Sequence, residues 1–412
     1  MKPMGPIPPG YEAEEGMLLI GGCGAAALVD EAGDTPLFVY DMALVRRRVA
    51  MLREAMPDGL HLHYAIKANP YPPLLAAMTE VVDGFDIASG GELARALEAG
   101  MGAEAISFAG PGKRDDELRA AIQAGVTINL ESEGEAMRAL RIGEVVGVTP
   151  RLAVRVNPDF DLKGSGMKMG GGAKPFGLDA DRAAALAREV IGAGADWRGW
   201  HIFAGSQALD AASIIEAQAA TLALAARLSE EVGATPPLVN LGGGFGVPYF
   251  PGDLPLDIRA VGLALEEGLT LLPDALKGSA IALELGRYLV AEAGVYLTRV
   301  VDVKVSHGER FAVVDGGLHH QLAASGNFGT VVRRNYPLVI ANKYGLADEA
   351  QEPVSVVGCL CTPLDKLGDK VMLPPVETGD LVAIFLAGAY GASASPAAFL
   401  GHAPANEILL GE

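Results

Sequence analysis

The sequence predicts an α/β architecture, a (β/α)8 barrel followed by a mainly β domain, and three patterns in its 412 residues predict it. Short apolar runs recur eight times between residues 62 and 285. Segments with helical spacing fill the gaps between them, and after about residue 290 the alternation stops. Strands that alternate with helices pair in parallel, and eight of them close naturally into a barrel.

The opening runs MLLIGG, AALVD and PLFVY are strand-like and expected to join the β domain, with the N-terminal segment bounded at 1–36. The barrel is expected over 37–286, opened by a helix in DMALVRRRVAMLREAM. Its strands are read at 62–67, 84–88, 105–109, 126–130, 152–157, 199–203, 237–241 and 281–285. Between them, GELARALEAG, DDELRAAIQAG, EGEAMRALRIGEVVG and DRAAALAREVIGAG repeat apolar residues at helical intervals. Residues 287–412 hold VYLTRVVDVKVS, YPLVIAN, PVSVVGCLC and DLVAIFLAG, which are strand-like with turn residues between them.

Composition narrows the partners. A net charge of −19 repels nucleic acid and anionic membranes, so neither is expected. Cys23, Cys359 and Cys361 offer no disulfide framework and no repeated zinc spacing, and the seven histidines form no HExxH cluster, so no metal is expected. The opening MKPMGPIPPGYEAEEG lacks the basic-then-apolar pattern of a signal peptide, and no apolar run is read as a membrane span. The expectation is a soluble cytoplasmic protein.

The chemistry is expected where the barrel strands end. In HLHYAIKANP, a period of two puts His63, Ala65 and Lys67 on the face opposite Leu62, Tyr64 and Ile66, and Asn69-Pro70 turns the chain. Lys67 then stands at the carboxyl end of strand one; a lysine reaching solvent from a strand end is the ordinary alternative. After strand seven comes LGGGFG, whose Gly243 and Gly244 allow backbone N–H groups close to an anion, although a flexible turn has the same composition. Strand eight ends in ELGR, adding Gly286 and Arg287. An amine beside a phosphate cradle is what pyridoxal 5′-phosphate (PLP) requires. Glu284 is the candidate to hold the ring nitrogen protonated, with a structural ion pair as the alternative. His201, ending strand six, could stack on the ring or be a core histidine.

The chain resembles the fold-type III PLP-dependent decarboxylases, the group that contains diaminopimelate and ornithine decarboxylases. The resemblance runs from about residue 35 to 400 through YAIKANP, GFDIASGGE, VRVNPD, HIFAGSQ, LGGGFG, ELGR, CTPLD and GAYG. It implies that Lys67 bonds the cofactor, Glu284 partners the pyridinium and His201 stacks on the ring. Ser206, Gly243, Gly244, Gly286, Arg287 and the Tyr390 hydroxyl would hold the phosphate, with Asp86 and Arg155 near the lysine and the ring hydroxyl. Cys361 resembles the cysteine that returns a proton after CO2 leaves; a thiol is ordinarily mostly protonated at neutral pH. Arg287, Arg333, Thr362, Asp365 and Tyr390 would meet the substrate. The resemblance further implies a homodimer in which Cys361 and Asp365 enter the partner's site. Cys359, two residues earlier on the same strand face, suits the role of a small buried hydrophobe.

Three departures from the family pattern bear on the substrate and the site. HIFAGSQ is two residues longer than the usual HIGSQ. ELGR replaces EPGR. Thr362 stands where an acid would pair with a distal ammonium, which disfavours substrates bearing one. The segment DLKGSGMKMGGGAKPFG (161–177) carries Lys163, Lys168 and Lys174 and is read either as a lid or as a basic dock for an acidic carrier protein. Both it and CTPLD are most similar to the branch containing the butirosin-pathway and exosortase-associated decarboxylases, which implies a glutamyl-like, carrier-linked substrate; lysine formation from diaminopimelate is the alternative. A racemase or a non-catalytic PLP-binding protein is less favoured. A racemase needs a tyrosine base, and a carrier lacks the C-terminal β domain.

Overall fold

Eight parallel strands close on themselves in the computed structural model, which describes residues 2–326, 334–346 and 350–411. The strands are His61–Ala65, Gly84–Ile87, Ile106–Phe108, Thr127–Leu130, Arg151–Asn157, Asp196–Ile202, Leu238–Asn240 and Ala280–Leu285, called barrel strands one to eight. Each pairs with the next, strand eight pairs with strand one, and strand five pairs with both four and six, so no edge is left open. Seven helices connect them, and Met42–Ala55 precedes the first strand. The observed architecture is therefore the expected barrel.

Local chemistry sets the boundaries. The helix Gly90–Glu98 begins where Ser89 Oγ accepts the Glu92 amide at 3.1 Å, and Glu133–Val146 begins where Ser132 Oγ accepts the Glu135 amide at 3.2 Å. Asp115–Ala124 ends on Gly125 in the left-handed region. Strand six shifts register between Trp197 and Gly199, and a Cβ on Gly199 would lie 1.9 Å from the Leu238 carbonyl oxygen. Only glycine lets strands six and seven meet there. The helix Ala211–Val232 is by length and composition alone apolar enough to span a membrane. Ile214, Leu222, Leu224, Ala225 and Leu228 on it are buried in the barrel unit, as a barrel helix requires.

One expectation changes at strand one. It ends at Ala65, and Ile66–Ala68 forms a 3-10 turn, so Lys67 stands on the turn after the strand. Asn69 shapes the chain beyond that turn: its Oδ1 accepts the Tyr71 amide at 3.1 Å, and its carbonyl accepts the Tyr64 hydroxyl at 3.0 Å.

The chain divides into two units. The barrel unit is Arg48–Val247 with Pro255–Gly286; the other is Met1–Arg47 with Pro248–Leu254 and Arg287–Glu412. The second unit carries an eight-stranded sheet built on the long hairpin Gly294–Ser306 and Glu309–Val314. Leu37–Asp41 pairs antiparallel with that hairpin and parallel with Asn406–Leu410. The N-terminal contribution to the sheet thus reaches past residue 36, beyond the point where the sequence predicts the barrel to begin. The strand predicted in PVSVVGCLC ends at Val357, which leaves Cys359 and Cys361 on the next loop rather than on a strand face.

Candidate active site

At the carboxyl ends of the barrel strands, the turn after strand one brings Lys67 Nζ to 3.7 Å from Glu284 Oε1. The Lys67 side chain is 47% exposed, and its ammonium lies 5.9 Å from the Phe203 ring centroid. Glu284 sits one residue before the end of strand eight and is buried. Its Oε2 is 2.9 Å from His201 Nε2, on the penultimate residue of strand six. Burial alone would raise this carboxyl, but the His201 hydrogen bond and the Lys67 charge outweigh it and hold it at about 2. A permanent carboxylate therefore stands beside a reachable amine. The other His201 ring nitrogen, Nδ1, is buried with no hydrogen-bond partner among the described residues.

The glycine turns fit an anion. Gly242 and Gly244 both adopt positive φ, and a Cβ on Gly243 would lie 2.0 Å from the Glu284 carbonyl oxygen. The Glu284 amide in turn donates to the Gly242 carbonyl at 2.8 Å, tying the turn to strand eight. Gly286 packs where a Cβ would come within 2.9 Å of the Ala68 Cβ, against the lysine turn. Ser206 lies on the short strand Gly205–Ser206, paired with Met167–Lys168. Its hydroxyl is buried and finds no partner among the described residues. An unsatisfied buried hydroxyl near glycine turns is what a phosphate ligand looks like before the phosphate binds. The residues present therefore fit PLP.

Asp86 and Arg155 are buried near the carboxyl ends of strands two and five. Asp86 accepts the Ser107 hydroxyl and lies 3.6 Å from His63 Nδ1. Arg155 pairs with Glu131 at 2.8 Å and lies over the Phe176 ring. This pair opens a network that sequence reasoning misses. Glu131 also accepts the Gly110 and Gly177 amides, at 2.5 and 2.7 Å, while the buried Lys113 pairs with Glu135 at 2.7 Å. Burial works against the Glu131 charge, but Arg155 and Lys113 hold its carboxyl below the ordinary range. The network ties the loops after strands three, four and five together. Its one sequence signal is an acid placed directly after strand four.

The 161–177 segment lies over the Ser206 loop, and a Cβ on Gly244 would meet Leu162 Cδ2 at 2.7 Å. Lys163 is paired with Glu216 at 2.7 Å, so one of the three lysines of the expected dock is already neutralised.

In the second unit, Arg287 donates to the Tyr249 hydroxyl at 2.9 Å and stacks on the Tyr390 ring at 4.7 Å. Tyr390 holds a positive φ of 56°. Cys361 is exposed. Asp365 is expected from the sequence to meet substrate, but it is buried and its two carboxylate oxygens accept the Leu318 and Leu360 amides at 2.6 and 2.8 Å. It anchors the CTPLD loop instead. Thr362 is half-buried on that loop. Cys359 is half-exposed rather than a buried hydrophobe, with Sγ 3.9 Å from His402 Nε2. Arg333 lies outside the described residues.

Residues 42–291 match the family described as "Pyridoxal-dependent decarboxylase, pyridoxal binding domain". The chain is 38% identical over 380 residues to the L-glutamyl-[BtrI acyl-carrier protein] decarboxylase of Niallia circulans, covering 91% of this chain and 89% of the relative. It is 34% identical over 396 residues to a diaminopimelate decarboxylase of Methanothermobacter thermautotrophicus, covering 93% and 88%. Among solved structures, a diaminopimelate decarboxylase from M. jannaschii in complex with L-lysine aligns at a TM-score of 0.86 and 27% identity, covering 97% of this chain and 92% of that one.

Proposed function

We propose a mechanism and a substrate class from one premise: this chain belongs to the pyridoxal-dependent decarboxylases, and it is a PLP-dependent carboxy-lyase. Bound PLP supplies an aldehyde for an amine and a protonated ring that accepts the electron pair left when the Cα–carboxylate bond breaks. Lys67 would hold the cofactor through its amine. Glu284 would keep the ring nitrogen protonated, and His201, hydrogen-bonded to the Glu284 carboxylate, would pack against the ring. Ser206, the backbone of Gly243, Gly244 and Gly286, and Arg287 with Tyr390 hold the phosphate. Asp86 and Arg155 set the lysine side of the site. Cys361 returns the proton to Cα, delivered from the partner protomer of a homodimer. The observation that carries this reading is the buried Glu284 carboxylate flanked by His201 and the Lys67 amine.

The substrate is a small amino acid or amino-acyl group whose distal end is not an ammonium, a glutamyl group on a carrier protein being the leading case. Thr362 supports this, since a neutral hydroxyl replaces the acid that a distal ammonium would need. The N. circulans relative, named for a glutamyl carrier protein, supports it as well. Lys174 is the lysine proposed to meet an acidic carrier, Lys163 being bound to Glu216 and the Lys168 side chain lying outside the described residues. The enzyme works in the cytoplasm, in amino-acid metabolism. Profiling CO2 release from free amino acids, meso-diaminopimelate and a glutamyl-loaded carrier protein tests the assignment. Turnover fastest on the glutamyl carrier supports it; turnover fastest on meso-diaminopimelate overturns it in favour of lysine formation. On the best substrate, Cys361→Ala should lower kcat with little change in KM.

A further inference from the structure

We propose that His319, Cys359 and His402 form a binding site for a thiophilic divalent cation such as Zn2+. One ligand atom from each lies within 4.8 Å of the other two, and Cys359 Sγ is 3.9 Å from His402 Nε2. In a tetrahedral zinc site with bonds near 2.3 Å to sulfur and 2.0–2.1 Å to nitrogen, sulfur and nitrogen lie about 3.5 Å apart. A small closure brings the three donors to that spacing.

The second observation is His319 itself. Its side chain is fully buried, yet neither ring nitrogen has a hydrogen-bond partner among the described residues. Buried imidazole nitrogens are ordinarily satisfied, and a ring left with two open nitrogens beside a thiol and a second imidazole is waiting for a ligand. Cys359 is half-exposed and His402 is exposed, which leaves an entry path and an open fourth position for water.

Backbone contacts hold the three donors together. The Cys359 amide donates to the Gly316 carbonyl at 3.0 Å, and Asp365 accepts the Leu318 amide, placing the cysteine loop against the residue before His319. His320 donates through Nε2 to the Ala403 carbonyl at 2.8 Å, which fixes its tautomer, and its Nδ1 accepts the Tyr296 hydroxyl at 3.1 Å. That bond fixes the chain beside His402. Nitrogen and thiolate donors suit Zn2+ and Co2+ and disfavour Mg2+ and Ca2+. The site shares its loop with Cys361, two residues on, so metal occupancy restrains the segment that carries the proposed proton donor.

The test uses PLP-loaded protein stripped with EDTA, kept reduced and titrated with Co2+, with subsequent competition by Zn2+. A thiolate-to-cobalt charge-transfer band that saturates at one metal per chain and is displaced by Zn2+ is expected. Cys359→Ser should abolish the band, Cys361→Ser should keep it, and His402→Gln, at an exposed position, should weaken affinity by at least about tenfold. Retention of the PLP absorbance and an unchanged circular dichroism spectrum report that each variant is folded. No band at saturating Co2+ would overturn the site. So would a band lost in Cys361→Ser but kept in Cys359→Ser, or Zn2+ affinity indifferent to His402→Gln.

Discussion

Replacing Glu284 by glutamine removes the buried charge that faces the Lys67 amine and the His201 ring. The structure sets the size of the effect. Burial disfavours this carboxylate, yet its pKa falls from the ordinary 4.5 to about 2 because surrounding positive charge and hydrogen bonding favour the anion. At about 1.36 kcal/mol per pKa unit that fall is on the order of 3 kcal/mol, a net preference for the anion at this spot. The protonated pyridinium that Glu284 is proposed to hold should lose stabilisation of this order, so kcat/KM should fall on the order of 100-fold in Glu284→Gln. Glu284→Asp keeps the charge and should lose less. The assay is CO2 release on the best substrate, beside PLP binding measured by absorbance, so that a loss of cofactor is told apart from a loss of rate. A Glu284→Gln enzyme that binds PLP and turns over within tenfold of the parent would refute the reasoning.

Other parts of the site yield further expected outcomes. Ser206→Ala removes a buried hydroxyl whose only proposed partner is the phosphate, so equilibrium dialysis should show PLP affinity weaker by about tenfold, roughly the worth of one hydrogen bond to a charged group, with folding stability little changed. The His63 pKa is raised: burial lowers it, but the Asp86 carboxylate 3.6 Å away outweighs burial. Because the folded value exceeds the unfolded one, the stability this pair contributes is complete below about pH 6.5 and is lost as pH rises through the folded pKa. The melting temperature of the parent should therefore decline across that range, and Asp86→Asn should flatten the decline; equal slopes in the two proteins would exclude the pair as its source.

The barrel is legible in the sequence because each strand is a short apolar run bounded by turn residues and succeeded by helical spacing, and parallel closure leaves few other arrangements. Lys67, Glu284 and His201 are legible for the same reason: each lies at or just past a strand end, and barrel topology carries strand ends to one mouth. The turn at Ile66–Ala68 is not, since period-two alternation continues through Lys67 in the sequence while the backbone has already left the strand. Partnerships across long separations are also invisible. Lys163 reads as a free cation until Glu216, 53 residues on, is seen beside it. Asp365 reads as a substrate contact until its oxygens are found on the Leu318 and Leu360 amides. The Glu131 and Lys113 network joins residues from three separate loops, and nothing in local spacing marks such a meeting. Cys359 reads as packing because its histidine neighbours come from residues 319 and 402.

Borohydride reduction of the PLP-loaded protein, with peptide mass spectrometry of the product, tests the covalent role of Lys67 most directly. The reduced pyridoxyl group should appear on the peptide containing Lys67 and on that residue alone. A label on any other lysine, or none on Lys67 in protein that still binds PLP, would contradict the account.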